Sequence, residues 1–113
     1  MHEMAIAGSL VELIEEEGRI RGFSRVRTIR VRFGVLGHVE PEALMFCFDA
    51  VSRGTRAEGA QLALDMVAGE GWCPECRQAV AVEERYALCP LCGLSHVQLT
   101  AGEELRLTEL EVM

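Results

Sequence analysis

Lysine and asparagine do not occur in this 113-residue chain, and histidine occurs only three times. Proline is rare too, at three residues, and the aromatics reduce to 5% with a single Trp and a single Tyr. No uninterrupted apolar run approaches the roughly 18 residues of a membrane span. Neither a P-loop nor a G-x-S-x-G elbow is present, which removes the commonest phosphate-binding and serine-hydrolase signatures. An excess of basic charge is missing as well. The formal net charge of -7 opposes a role in coating nucleic acid, which requires a basic footprint. The opening MHEMAIAGSLVELIEEE has no basic segment ahead of its apolar residues and meets Glu12 early, so no secretory signal is expected. These absences predict a cytoplasmic protein with no membrane and no nucleic-acid partner. What is present, 50% apolar and 26% charged residues, is the composition of an ordinary globular protein. The length allows one domain, or one small domain carrying a smaller one.

All eleven basic residues are arginine, and Arg19, Arg21, Arg25, Arg27, Arg30 and Arg32 crowd into one stretch. They read as the solvated face of a strand balancing the Glu15-Glu16-Glu17 run, with a docking patch for an acidic partner as the alternative. Ile6, Leu10, Leu13 and Ile14 recur at helical spacing and predict a helix over residues 4–17, stopped by Gly18. Over residues 25–35 the period changes to two, with Ile29, Val31, Phe33 and Val35 on one face of a half-buried strand. Pro41 then opens a second helix, to about residue 53. Its Leu44, Phe46, Phe48 and Val51 nearly encircle it and predict burial on every side. Residues 61–67 and 104–112 read as further strands, the latter with a shift of apolar parity that implies a bulge near Thr108. The expected class is α+β. Two helices lie on a small, mainly antiparallel sheet built from residues 1–68 and 97–113, and residues 69–96 form an inserted zinc-ribbon domain.

The ribbon rests on cysteine spacing. Cys73-Pro74-Glu75-Cys76 and Cys89-Pro90-Leu91-Cys92 make C-x2-C-x12-C-x2-C. Each pair can fold as a tight knuckle aiming two thiolates at one ion, and residues 77–88 suit a short hairpin between the knuckles. Four thiolates at about 2.3 Å around a tetrahedral ion is the structural Zn2+ arrangement. Two disulfides are the alternative, disfavoured by a reducing compartment and by the symmetric spacing. A four-sulfur site has no open position for substrate, so it supplies folding free energy, on the order of 10 kcal/mol, and not catalysis. Iron fits the same geometry. The thin aromatic shell of Tyr86 and Trp72 favours zinc and leaves iron as the rival. Cys47, in the run LMFCFDAV, reads as an inert buried thiol. His96 reads as a strand-entry residue, with contact to the metal-bound thiolates as the alternative.

The chain starts Met1-His2-Glu3. A histidine in second position lets the α-amine, the deprotonated His2 amide nitrogen and the imidazole Nδ1 close adjacent chelate rings. Three coplanar nitrogens favour Ni2+ or Cu2+. Glu3 can add a carboxylate, orient the imidazole, or simply interact with the positive end of the first helix.

These residues occur together with the LVELIEE helix, the passage from Phe33-Gly34 to Phe48, the Gly54-Thr55 and Glu58-Gly59-Ala60 turn, and two Cys-Pro-x-Cys knuckles. The combination resembles the HypA/HybF family of hydrogenase nickel metallochaperones over essentially the whole length. The resemblance implies an α/β nickel domain interrupted by a zinc ribbon, and a carrier in place of an enzyme. It implies delivery of Ni2+ to the large subunit of [NiFe]-hydrogenase alongside the HypB GTPase, with urease as a further client of some members, and it allows a homodimer. Carried over residue by residue, His2 is the nickel ligand with Glu3 beside it. Cys73, Cys76, Cys89 and Cys92 are the structural zinc ligands. His38 takes no family role and stays a turn residue. Two readings from other classes compete: a zinc-ribbon module that recruits a partner, and an electron carrier with iron in the four-cysteine site.

Overall fold

The apolar periodicities resolve into two helices and six strands in the computed structural model, which describes residues 2–113. Helix α1 is Glu3–Arg21, strand β1 is Val26–Gly34, and helix α2 is Pro41–Val51 after a single 3-10 turn at Val35–Gly37. Strands β2 (Gln61–Val67), β3 (Glu70–Cys73), β4 (Gln78–Ala81), β5 (Gln98–Ala101) and β6 (Leu105–Val112) follow. They form two three-stranded sheets, ordered β2-β1-β6 and β4-β3-β5. Gly34 N–H donates to Glu104 O and Met113 N–H to Arg25 O, so β6 runs antiparallel to β1. No helix among the described residues is long and apolar enough to cross a membrane.

Helix α1 does not stop at Gly18. It continues to Arg21 and closes at Gly22, which takes φ 84 and returns its N–H to Gly18 O. Gly18 serves a different end. A Cβ there would stand 2.2 Å from Arg56 Cδ and 3.1 Å from Phe23 Cε1, so the missing side chain is what lets Arg56 cross the helix. Arg56 then donates from its main-chain N and from Nη1 to the Glu15 carboxylate, and from Nε to Phe23 O. The buried row of α1 is Ala7, Leu10, Val11, Ile14 and Gly18, which turns Leu13 outward to 44% exposure. Helix α2 starts where Glu40 accepts from Glu42 N–H and Pro41 occupies the first turn. It is not buried all round. Leu44 and Phe48, one turn apart, form its packed face, while Phe46 is 75% exposed.

The chain divides into two compact units. The first comprises the described residues up to Val31, with Val39–Asp65 and Leu107–Met113; the second comprises Arg32–His38 and Met66–Arg106. In the first, α1 and α2 bury Ala7, Leu10, Ile14, Leu44 and Phe48 with Val26, Ile29 and Val31 of β1. Leu107 and Leu110 of β6, three residues apart, both pack on this core, so the apolar parity of that strand does shift. Four of the six arginines in this stretch are matched by acids, and Arg25 donates instead to Glu58 O. Arg30 pairs with Asp65 and Glu109, Arg27 with Glu111, Arg19 with Glu16 and Arg21 with Glu17. Those pairs are exposed and individually worth at most about 1 kcal/mol. They make the stretch a charge-balanced solvated face, with acids from the flanking strands contributing more than the predicted glutamate run.

In the second unit β3 is the central strand. It pairs antiparallel with β4 from Glu70↔Ala81 to Cys73↔Gln78, and with β5 through Gly71↔Leu99 and Trp72↔Gln98. The interior of this unit is small: Leu36, Val80, Val82 and Val97 surround Cys73 and Cys89.

Candidate metal centre

Cysteine thiols are among the few side chains that serve both as core and as ligand. In the second unit they do both. Strand β3 ends in Cys73, and the chain turns at once: Arg77 N–H returns to Cys73 O at 2.8 Å. The second knuckle repeats the turn, with Gly93 N–H returning to Cys89 O at 2.8 Å. The residue closing each turn is left-handed, Arg77 at φ 53 and Gly93 at φ 66. Glycine makes that conformation easy in the second knuckle; in the first, an arginine adopts it, at a cost a metal bond can offset.

Residues 77–88 do not form the hairpin expected between the knuckles. Residues 78–81 instead pair back on β3, so the first knuckle is itself the tip of the β3–β4 hairpin. The second knuckle caps a separate loop, closed by Leu88 pairing with His96, by Cys89 N–H to Ser95 O and by Val97 N–H to Ala87 O. His96 is exposed in that closure and its Nδ1 lies 2.7 Å from Tyr86 O, so it donates there as a strand-entry residue.

The four sulfurs converge. All lie within 4.8 Å of one another, with Cys73 and Cys89 buried and Cys76 and Cys92 half-buried. Cys73 Sγ is 3.7 Å from Cys92 Sγ, and Cys76 Sγ is 3.9 Å from Cys89 Sγ. An S4 tetrahedron with bonds of about 2.3 Å has edges of about 3.8 Å. A disulfide needs sulfurs at about 2.05 Å, and all five cysteines are free. Main-chain N–H groups also point at the sulfurs, Cys76 N to Cys73 Sγ and Leu91 N to Cys89 Sγ. The donor set therefore fits a zinc ion, which would supply cross-linking of the two knuckles. Among the described residues no other three His, Cys, Asp or Glu side chains come together in this way.

Four thiols this close resist ionising together. Main-chain N–H groups of Cys92 and Leu91 bring the Cys89 thiol down to about 7. The neighbouring Cys92 sulfur, together with burial, pushes Cys76 up to about 12. A divalent cation removes that conflict and takes all four as thiolates. Metal uptake must then release protons, and it strengthens as pH rises.

The sequence placed a second set of donors at the chain start. Met1, with its α-amine, lies outside the described residues. His2 is exposed and occupies the N-cap of α1, where its carbonyl accepts from Ile6 N–H at 3.1 Å. Glu3 opens the helix, and its carboxylate accepts from Glu40 N–H at 3.1 Å, which holds it below the usual carboxylate range. Sequence reasoning did not find Glu40, since a contact between residues 37 apart leaves no periodic trace. His38 is exposed in a left-handed turn, away from any such cluster. Cys47 is half-buried against the helical core, in keeping with a structural thiol.

The family described as hydrogenase/urease nickel incorporation, metallochaperone, hypA matches residues 1–112 of the chain. The hydrogenase maturation factor HypA of Methylocella silvestris is 61% identical over 112 residues, covering 99% of both proteins. That of Rhizobium leguminosarum bv. viciae is 48% identical over 113 residues, covering all of both. The fold is similar to the solution structure of the Ni metallochaperone HypA from Helicobacter pylori, with a TM-score of 0.72 at 23% identity, over 100% of this chain and 98% of that one. That last likeness speaks for architecture alone, and it agrees with the two helices, the antiparallel sheets and the clustered cysteines. Matched from end to end in sequence and in fold, the chain belongs to the HypA family of nickel metallochaperones for hydrogenase maturation.

Proposed function

We propose that this chain carries Ni2+ in the cytoplasm to the large subunit of [NiFe]-hydrogenase, with the HypB GTPase as partner, and that it is a carrier and not an enzyme. Nickel is cargo, held by the α-amine, the His2 amide nitrogen and the His2 imidazole, with Glu3 beside them. Zinc is resident, held by Cys73, Cys76, Cys89 and Cys92, and serves the fold. The observation that carries this reading is the setting of His2. It is exposed ahead of the first helical turn, where main-chain nitrogens have no intrahelical partner. An open nitrogen chelate can exchange its ion, while a closed thiolate cage keeps it.

Calorimetry with Ni2+ on protein with a native amino terminus tests the assignment. His2→Ala is expected to abolish the site without unfolding the protein, since residue 2 buries little. Residues added before Met1 turn the amine into an amide and are expected to do nearly the same. Affinity should rise with pH through the amine's range near about 8, because the proton must leave before the nitrogen binds. An extended protein that binds nickel as tightly as the native one overturns the terminal chelate.

A further inference from the structure

A chelate built on the first residues of a chain has an entropic problem. Helix ends fray, and every rotatable bond the ion must freeze weakens binding. The Glu3–Glu40 bond bears directly on that problem. Glu40 is the N-cap of α2, and its own carboxylate accepts from Glu42 N–H at 3.4 Å. Its main-chain N–H is one that α2 cannot satisfy from within. Glu3, the first residue of α1 and the residue next to His2, reaches across and takes that N–H. An anionic acceptor at a helix start is also favoured by the helix dipole, so the contact is supported twice over.

From this we infer that Glu3 is a positioning residue of the nickel chelate: through its bond to Glu40 N–H it fixes the His2–Glu3 peptide against the start of α2, and it is not itself a ligand. The inference rests on the terminal-chelate reading above. With the side-chain tip of Glu3 anchored, its main chain and the peptide before it have fewer conformations to lose when the nitrogens become coplanar around the ion. The bond engages Oε2 and holds the carboxylate at the start of α2, so that turning it towards the metal would strain or release the anchor.

The test uses tag-free, zinc-loaded protein titrated with Ni2+ by calorimetry, with the absorption spectrum of the nickel complex recorded for each variant. Glu3→Gln keeps an oxygen that can accept the bond; Glu3→Ala does not. Glu40→Pro deletes the donor without altering any residue beside His2, and the backbone there, at φ -84 and ψ 114, accommodates proline. Glu40→Ala measures the loss of that side chain alone. Glu3→Gln is expected to stay within about threefold of the parent affinity and Glu3→Ala to lose about tenfold. Glu40→Pro should fall below Glu40→Ala by the same factor as Glu3→Ala falls below the parent, since each step removes the whole bond. Combining Glu3→Ala with Glu40→Pro should add nothing further, because both remove one bond. The nickel spectrum should not change, since the donor set is the same throughout.

Direct ligation by Glu3 predicts the opposite pattern. Glu3→Gln would then be as damaging as Glu3→Ala, the spectrum would shift, and Glu40→Pro would match Glu40→Ala; that result overturns the inference. Should the proline variant fail to fold, the Glu3→Gln and Glu3→Ala pair and their spectra still decide. Nickel retained in His2→Ala would instead bring down the chelate assignment itself, a separate failure.

Discussion

The two compact units reach a stable interior by different means. The first has enough carbon: Ile14, Ile29, Val31, Leu44 and Phe48 interlock between two helices and a sheet. The second offers four aliphatic side chains, Leu36, Val80, Val82 and Val97, and completes its interior with the thiols of Cys73 and Cys89. A unit of that size needs a staple, and a metal is one of the few available. On the function proposed above, this difference explains why the two metal roles cannot be exchanged. An ion that is part of a core must be enclosed and kept. A core that stands without an ion leaves the proposed nickel chelate free to sit exposed at the start of α1 and to release its cargo.

Breaking the staple gives the largest expected effect. Cys73→Ala leaves three thiolates and discards much of a binding free energy on the order of 10 kcal/mol. The second unit should then be cut rapidly in limited proteolysis, while far-UV circular dichroism retains the signal of α1 and α2. Removing the metal with a chelator should reproduce this, and more readily at lower pH, where protons compete for the thiolates. Full metal occupancy with an unchanged cleavage pattern in Cys73→Ala would show that the thiols are not the staple.

The mirror experiment strikes the carbon core. Ile14 is 0% exposed, and Ile14→Ala should cost about 2–5 kcal/mol through lost burial and the cavity left behind. Thermal unfolding followed by helical signal should shift down strongly. Zinc content after mild heating should hardly change, because no ligand belongs to the helical core. Loss of zinc in step with the helices would mean that the two interiors are not independent.

The legibility of the molecule divides along the same line. The metal centre could be read from the primary structure because its information is local: two residues between the cysteines of each pair fix a knuckle wherever the chain goes. The alternation of residues 61–67 was equally direct, and the strand falls where it was expected. Helix α2 was misjudged because periodicity reports which residues are apolar, not how many neighbours arrive to cover them; Phe46 is apolar and simply remains exposed. Gly18 was misread as a stop because glycine has two uses, turning a chain and admitting a neighbour. Which one applies depends on Arg56, 38 residues away. The Glu15–Arg56 and Glu3–Glu40 bonds were invisible for the same reason, since polar contacts at long separation have no spacing rule.

Gly18→Ala probes that second use of glycine at a smaller scale. In an exposed helix the change would stabilise by up to about 1 kcal/mol. Here the new methyl meets Arg56 Cδ and Nε, so the guanidinium must leave its bonds to Glu15 and Phe23 O. The expected net result is a destabilisation of about 1–2 kcal/mol, seen as a lower thermal midpoint of the helical unit alone. Stabilisation would mean that the Arg56 side chain moves aside at no cost.

The smallest expected effect lies in the second unit and depends on pH. Glu104 Oε1 accepts from Gly102 N–H at 2.5 Å. The carboxyl is held below its ordinary value of 4.5 by its own main-chain N–H first, then by that of Gly102, with the Arg32 charge adding to both. A carboxyl lowered in the folded state stabilises above its unfolded pKa and loses that contribution as pH falls through the folded value. Glu104→Gln should therefore bring a small drop in the unfolding midpoint of the zinc-loaded second unit near neutral pH. The gap from the parent should stay constant between about pH 7 and about pH 5, then close only below the ordinary carboxylate range. Thiol protonation is common to both proteins and cancels in that difference. A gap that already narrows above about pH 5 would place the titrating group elsewhere, among the metal-bound thiolates, and would tie even this surface carboxylate to the staple.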